Sequence, residues 1–503
     1  MSTPERRRFF LGAFGEPGHA FPMLALGAEL ASRGHEVTFE TWSRWAEHVE
    51  AAGMRFVSAP EYPLFPEPGE PLEMYEAVVR ATGVTRRAVA SLRPDAVVHD
   101  ILTLAPAMAG ELESIPVATL IPHLYPAGAP GFPPYAVGAR LPRTGLGRRL
   151  WGSLERPLAA GLRRGRADLN DARRRLGLPP VSRLHGGLSE RLCMVGTFPQ
   201  LEYPRRWPAG VHVVGPLMWE PPFSAVEPPP GEEPLVLVAP STAQDPSHRL
   251  LRAALAGLGG EPVRVLATWN RRPLGRPPGV PANTRLVEWV SYSKEMPACS
   301  LVVCHAGHGT MARALASGCP VLAVPHVGDM AENAARADWA GVGVRLPWRL
   351  LGPATLRLAV RRALSDRSLA GRAHELAGWA AAHDGACAAA DLVERLARGP
   401  RSGPVQAEAP SGRARTNSIR SGASPSTTSM RSPEQLHSST TARAPETSSG
   451  RQIAPFSSQC SSSDTVRPDL MSLSRQPSSG GHLAPGVGLE PTTFRLTAER
   501  SAD

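Results

Sequence analysis

A chain of 503 residues has room for two or three domains, and 42% hydrophobic against 20% charged residues describes a globular protein rather than a disordered or membrane-spanning one. The formal charge of +10 is almost wholly arginine, since Lys294 is the single lysine, and no basic–aromatic pattern of a nucleic-acid surface accompanies it. No run approaches the ~20 apolar residues of a membrane helix, and Arg6-Arg7-Arg8 precedes too short an apolar run for a secretory signal, so a cytoplasmic protein is expected.

Arg8–Phe14 reads as a strand, followed by a loop, a helix predicted over Pro22–Ser32, a glycine turn and a second strand. This is the βαβ opening of a Rossmann-like half, although the glycines at 12, 15 and 18 have the wrong spacing for a dinucleotide fingerprint. His19 falls in the loop before the helix. Asp95-Ala96-Val97-Val98-His99-Asp100 reads as a strand ending in an acid. An imidazole with a pKa of about 6.5 can take a proton from a hydroxyl, and a carboxylate on its other nitrogen fixes the tautomer.

Residues 60–90 and 120–150 mix proline, glycine and aromatics (Tyr62, Phe65, Tyr75, Tyr125, Phe132, Tyr135), with Trp151 just beyond. Irregular segments on one side of such a domain are where a ligand pocket is built. His123, in the second of them, reads as a solvated loop residue. Arg148–Leu178 has a basic, amphipathic helical pattern, a solvated face that leaves room for peripheral membrane contact. Val211–Leu217 is the last strand of a domain covering 1–217, and the proline-dense 218–233 is a linker.

Pro234–Ala239 opens a second βα set, with its first turn at Pro240-Ser241-Thr242-Ala243-Gln244-Asp245, and Arg285–Val290 is a strand carrying Trp289. The densest pattern runs from Ser300 to Leu346. Leu301–Cys304 is a short apolar run of the buried parallel type, His305-Ala306-Gly307-His308-Gly309-Thr310 is a glycine-rich turn, and Met311–Ser317 is helix-forming. Gly318 suits the left-handed end of that helix. A helix opening straight after a strand and such a turn offers free N–H groups and a positive dipole end, with the Thr310 hydroxyl and a His305 ring nitrogen alongside. The chemistry is that of a diphosphate cradle. The next strand, Val321–Val324, leads into Pro325–Ala334, and in a doubly wound sheet both loops lie at the carboxyl ends of strands.

Pro353–Leu364 and Ala370–Arg398 read as amphipathic helices closing a second domain over 234–398. Six cysteines without CxxC or metal-ligand spacing read as reduced, packed thiols. From 399 to 503 the chain is Ser/Thr/Pro/Arg-rich without periodicity, and disorder is expected. Its end, GVGLEPTTFRLTAERSAD, resembles a peptide that recurs in conceptual translations of transfer-RNA genes, which points to a frameshift or missed stop.

Together the two loops resemble the donor-binding signature of family 1 glycosyltransferases, nucleotide-sugar enzymes of the two-domain GT-B fold. That signature is His-x-Gly, a Ser/Thr three residues on, a Glu three further, a Pro, then Asp-Gln and Asn-Ala. His305, Gly307, Thr310, Pro320, Asp329 and Asn333-Ala334 match; Arg313 stands in place of the ribose-gripping Glu, and Met330 in place of the Gln. Gly18-His19-Ala20-Phe21-Pro22 likewise resembles the family's Gly-His-x-x-Pro, and Ser291-Tyr292 replaces its usual Pro-Gln. The resemblance covers about residues 8 to 398.

It implies an α/β chain of two Rossmann-like domains facing across a cleft, with the last helix crossing back onto the first. His19 would be the general base and Asp100 its orienting acid. Ser241, Thr242, His305, Gly307, His308, Gly309, Thr310, Asp329 and Met330 would bind the donor, with Trp289 stacking on the nucleobase. No metal or other cofactor is expected, because no Asp-x-Asp pair is placed to hold one. The sequence looks most like bacterial enzymes that glycosylate macrolides and other secondary metabolites. The implied reaction is inverting, metal-independent transfer of a hexose from a UDP- or dTDP-sugar to a small hydrophobic acceptor. A lipid-acceptor transferase, a nucleotide-sugar epimerase and a catalytically idle nucleotide-binding partner are the alternatives left open.

Overall fold

A computed structural model of the chain describes residues 5–60, 75–241, 245–271, 274–275, 278–326 and 328–399. Tyr62, Phe65 and Thr242, and the tail from 400 onward, lie outside the described residues.

Among the described residues, the first lobe holds a seven-stranded parallel sheet of β1 (Arg8–Gly12), β2 (Glu36–Thr41), β3 (Arg55–Ser58), β4 (Ala96–Asp100), β5 (Val117–Ile121), β6 (Cys193–Val195) and β7 (Val211–Val213). Its order is β3-β2-β1-β4-β5-β6-β7. The second lobe holds a six-stranded parallel sheet of β8 (Leu235–Ala239), β9 (Arg264–Thr268), β10 (Thr284–Val287), β11 (Leu301–Cys304), β12 (Val321–Ala323) and β13 (Gly343–Arg345), ordered β10-β9-β8-β11-β12-β13. Each sheet winds outward in both directions from its centre. The direction in which strands are added therefore reverses between β1 and β4, and again between β8 and β11. Crossovers diverge at such a point and leave a crevice beyond the carboxyl ends of the strands. His19 follows β1, Asp100 ends β4, Ser241 follows β8 and the 305–310 turn follows β11, so both crevices receive the residues singled out in the sequence.

The central strands are apolar because helices cover both faces. Val97 and Val98 of β4, Val236–Ala239 of β8 and Leu301–Cys304 of β11 are fully buried. Helix Pro17–Ser32 buries Met23, Leu24, Leu26 and Leu30 on β1 and β2, each contributing about 2 kcal/mol by leaving water. The described cysteines are free thiols, with Cys193, Cys299, Cys304 and Cys319 buried and Cys387 exposed. Among the described residues no helix is long and apolar enough to cross a membrane.

Several element boundaries differ from the sequence reading: the basic pattern over 148–178 is two helices, Gly145–Gly152 and Glu155–Arg175, and Trp289 falls outside the shorter strand Thr284–Val287. Three more bear on the site and the lobe contact. The first helix begins at Pro17 rather than Pro22, so His19 stands in its first turn, not in a loop. Two prolines compete for the opening position. Pro17 takes it, and Pro22 sits a turn inside, forgoing one bond to the Gly18 carbonyl. The second-lobe helix begins at His308 rather than Met311, with extended Gly307 as its N-cap. The last helical run is two helices, Arg367–Ala382 and Gly385–Arg398, because Asp384 caps the second by accepting from the amides of Ala386 (2.8 Å) and Cys387 (3.0 Å).

That final helix packs on the first lobe. Ala389, Ala390 and Val393 join the core around Leu24 and Leu26, and Arg33 donates to Asp391 (2.6 Å) and Glu394 (3.0 Å). The lobes also meet through a buried ionic cluster. Arg336 donates to Glu332 (2.7 Å) in its own helix and to Glu202 (3.1 Å) of the first lobe, and its guanidinium lies 3.5 Å from the Tyr203 ring centre.

Candidate active site

Nδ1–H of His19 donates to Oδ1 of Asp100 at 2.7 Å, and Asp100 is fully buried. The other carboxylate oxygen accepts from the Phe14 amide (3.2 Å) and the Thr103 hydroxyl (3.2 Å). A carboxylate can only accept, so this bond places the imidazole proton on Nδ1 and leaves Nε2 bare. Burial works against the imidazolium, but the Asp100 charge and hydrogen bond, with Asp329 and Glu16 beyond, overcome it and hold the His19 pKa above its ordinary value. Burial likewise favours a neutral Asp100, yet His19 and the amides of Phe14 and Leu102 hold its pKa below the ordinary one. The pair is built to carry a proton on the imidazole beside a permanent carboxylate.

Across the junction, Ala306 has a left-handed φ of 66°, and Gly307 turns the chain into helix His308–Ala316. A Cβ at Gly307 would stand 2.5 Å from Nε2 of His305, so a larger residue there would have to displace that ring. The N-cap has no side-chain hydrogen bond, and the Met311 amide is the first to bond back, to the Gly307 carbonyl at 3.1 Å. The amides of 308–310 precede it without intrahelical acceptors, the arrangement that receives an anion. His305 adds a neutral ring: burial pushes its pKa down to about 4, against a backbone hydrogen bond with Ala239.

Asn333 ties the cradle to Asp329, donating to the Ala306 carbonyl (3.0 Å) and to Asp329 Oδ2 (3.1 Å). Its own Oδ1 is buried without a partner. Asp329 is close enough to the first lobe for its charge to act on His19, His123 and Tyr135.

The remaining expected donor residues are less uniform. The His308 ring faces the first lobe, with Nε2 2.9 Å from the Thr197 hydroxyl, and burial pushes its pKa down to about 3. It is a strut between lobes rather than a side chain of the cradle. Gly309 is exposed, and the Thr310 hydroxyl sits against the phenol of Tyr292. Ser241 is buried behind the β8 turn. Trp289 lies just past β10, against Phe223 of the linker (5.7 Å between rings) with the Arg271 guanidinium 5.5 Å from its centre. Met330 opens helix Met330–Ala340 and packs against the second-lobe core. Arg313 donates to the Trp219 carbonyl (3.0 Å) and pairs at 3.7 Å with Glu220, which also accepts from the Ser291 hydroxyl (2.6 Å). A linker carboxylate thus stands beside the helix position where the family's motif has its own.

Residues 251–396 match the family described as Erythromycin biosynthesis protein CIII-like, C-terminal domain. The 4'-demethylrebeccamycin synthase of Lentzea aerocolonigenes is 29% identical over 415 residues, spanning 75% of this chain and 97% of its own. The O-mycaminosyltylonolide 6-deoxyallosyltransferase of Streptomyces fradiae is 30% identical over 430 residues, spanning 78% of this chain and 97% of its own. The chain belongs to the family 1 glycosyltransferases. The crystal structure of the calicheamicin glycosyltransferase superposes on this glycosyltransferase with a TM-score of 0.61 and 24% identity, covering 78% of this chain and 98% of that one, so the fold is GT-B.

Sequence reasoning missed one group in this glycosyltransferase. His123, read as solvated, is only 8% exposed and stands 6.2 Å from His19, ring centre to ring centre. The chain turns inward after β5 because Leu124, the next residue, is fully buried in the second-lobe core cluster. The signal was available: His123 lies two residues beyond a strand near the middle of the sheet, where ligands bind.

Proposed function

We propose that this glycosyltransferase moves a hexose, with inversion and without a metal ion, from a UDP- or dTDP-sugar to a hydroxyl of a small hydrophobic acceptor. The observation that carries the reading is the His19–Asp100 pair, 2.7 Å apart, at the carboxyl ends of one sheet, with the open helix N-terminus at 308–310 and the Asn333-held Asp329 at the carboxyl ends of the other. The acceptor hydroxyl gives its proton to Nε2 of His19 as its oxygen attacks the anomeric carbon. The bond from that carbon to the diphosphate oxygen breaks on the opposite face, which inverts the configuration. Charge grows on the diphosphate as the sugar becomes oxocarbenium-like. The 308–310 amides and the helix dipole act on that charge, and so favour the transition state over the ground state.

The relatives named for rebeccamycin and tylonolide products support a natural-product acceptor. The helix end serves as the positive group, so a chelator should leave the rate unchanged. The test is a panel of nucleotide sugars with extracted bacterial metabolites. Acceptor-dependent release of nucleoside diphosphate and a product of inverted anomeric configuration are expected. Retention, or a requirement for added divalent metal, would overturn the reading.

A further inference from the structure

The loop leaving β5 brings a second imidazole to the reacting centre. Nδ1 of His123 lies 2.8 Å from the Leu124 carbonyl oxygen and 3.2 Å from the Tyr135 hydroxyl, which is itself 3.5 Å from that carbonyl. A carbonyl accepts only, so Nδ1 carries the proton and Nε2 is a lone pair, without a hydrogen-bond partner among the described residues. No carboxylate stands behind this ring as Asp100 stands behind His19. A carbonyl dipole steadies an imidazolium much less than a full charge does, so His123 is suited to remain neutral, and burial lowers its pKa in the same sense. The same ring faces the charge of Asp329 in the second lobe, meets His19 edge-on and lies close enough to His308 to act on its charge. A bare acceptor 6.2 Å from the ring of the base and within reach of the charge of Asp329 has a neutral hydroxyl as its natural ligand.

We infer that His123 positions the transferred sugar from the first lobe, its Nε2 accepting a hydrogen bond from a sugar hydroxyl on the ring that Asp329 holds from the second. The inference rests on the sugar-transfer reading above. It makes the site selective for donors that keep the hydroxyl facing His123.

The test uses the full chain, UDP-glucose or dTDP-glucose (whichever the wild type turns over), its 2-, 3-, 4- and 6-deoxy analogues and one accepted hydroxylated substrate. In the wild type, the deoxy donor lacking the hydroxyl that faces His123 should lose about tenfold in kcat/KM relative to the parent, a loss separate from any at the hydroxyls that Asp329 holds. In His123→Ala the parent donor should fall by about tenfold and that single penalty should vanish, with nucleoside diphosphate affinity kept within about twofold. His123→Gln, which retains an acceptor oxygen, should recover most of the parent rate and restore the penalty, and carries the same comparison should the alanine variant not fold. A loss shared equally by every donor in both variants would overturn the inference, as would nucleoside diphosphate binding that weakens in step with turnover. A wild type that binds nucleoside diphosphate but transfers no sugar would instead overturn the transfer reading, and this inference with it.

Discussion

Oδ1 of Asp100 and Nδ1 of His19 are 2.7 Å apart, and that single contact sets both the tautomer and the basicity of the ring. His19 titrates above its ordinary value of 6.5 in consequence. A general base must be neutral to act, so kcat/KM should rise with pH on an acid limb whose midpoint lies above 6.5. Asp100→Asn removes the charge that raises this pKa. Its acid limb should move to lower pH while its plateau falls by about 10²-fold or more. A pH–rate profile of the two proteins checks the prediction, and an unmoved limb would count against the pair.

Gly307→Ala should weaken nucleoside diphosphate binding by at least about tenfold, or ~1.4 kcal/mol. The added methyl would meet Nε2 of His305 at 2.5 Å and displace the ring from the mouth of the cradle. Calorimetric titration of the diphosphate measures this, with the melting temperature as a control for folding.

Arg336→Met should destabilise the protein by about 3–5 kcal/mol, because it leaves two buried carboxylates, Glu332 and Glu202, without their shared cation. Changing Glu332 to glutamine as well should restore part of the loss, because Glu202 keeps the Arg205 guanidinium at 3.8 Å. Urea unfolding of the single and double variants reads the difference.

Glu40 is buried at the carboxyl end of β2, and its pKa is raised to about 7 by burial, against the hydrogen bond from the Thr85 hydroxyl. An acid that holds its proton in the folded state longer than in the unfolded one loses stability as pH rises from about 4.5 to 7. Glu40→Gln should therefore be more stable than the wild type at pH 8, by up to about 3 kcal/mol, and nearly equal to it at pH 4. Melting temperatures across that range test the sign.

Much of this was legible in the sequence because strands buried on both faces read as short apolar runs between glycine turns, as Leu301–Cys304 does. Asp100 was legible too, since an acid ending a buried strand must find a partner. What sequence could not supply was pairing across the lobes. Nothing local to His308 says that Thr197, more than a hundred residues earlier, takes its ring, and nothing local to Arg313 announces Glu220. The burial of His123 is likewise set by the second lobe packing over Leu124, although its place two residues past β5 already marked a ligand-side position. The helix starts at Pro17 and His308 were misplaced because proline and glycine break helices inside but open them well.

The most direct measurement is turnover by His19→Ala, alongside its affinity for nucleoside diphosphate. Transfer should fall by about 10²–10⁴-fold while the diphosphate binds as tightly as before, since the cradle belongs to the other lobe. Transfer at the wild-type rate would contradict the account.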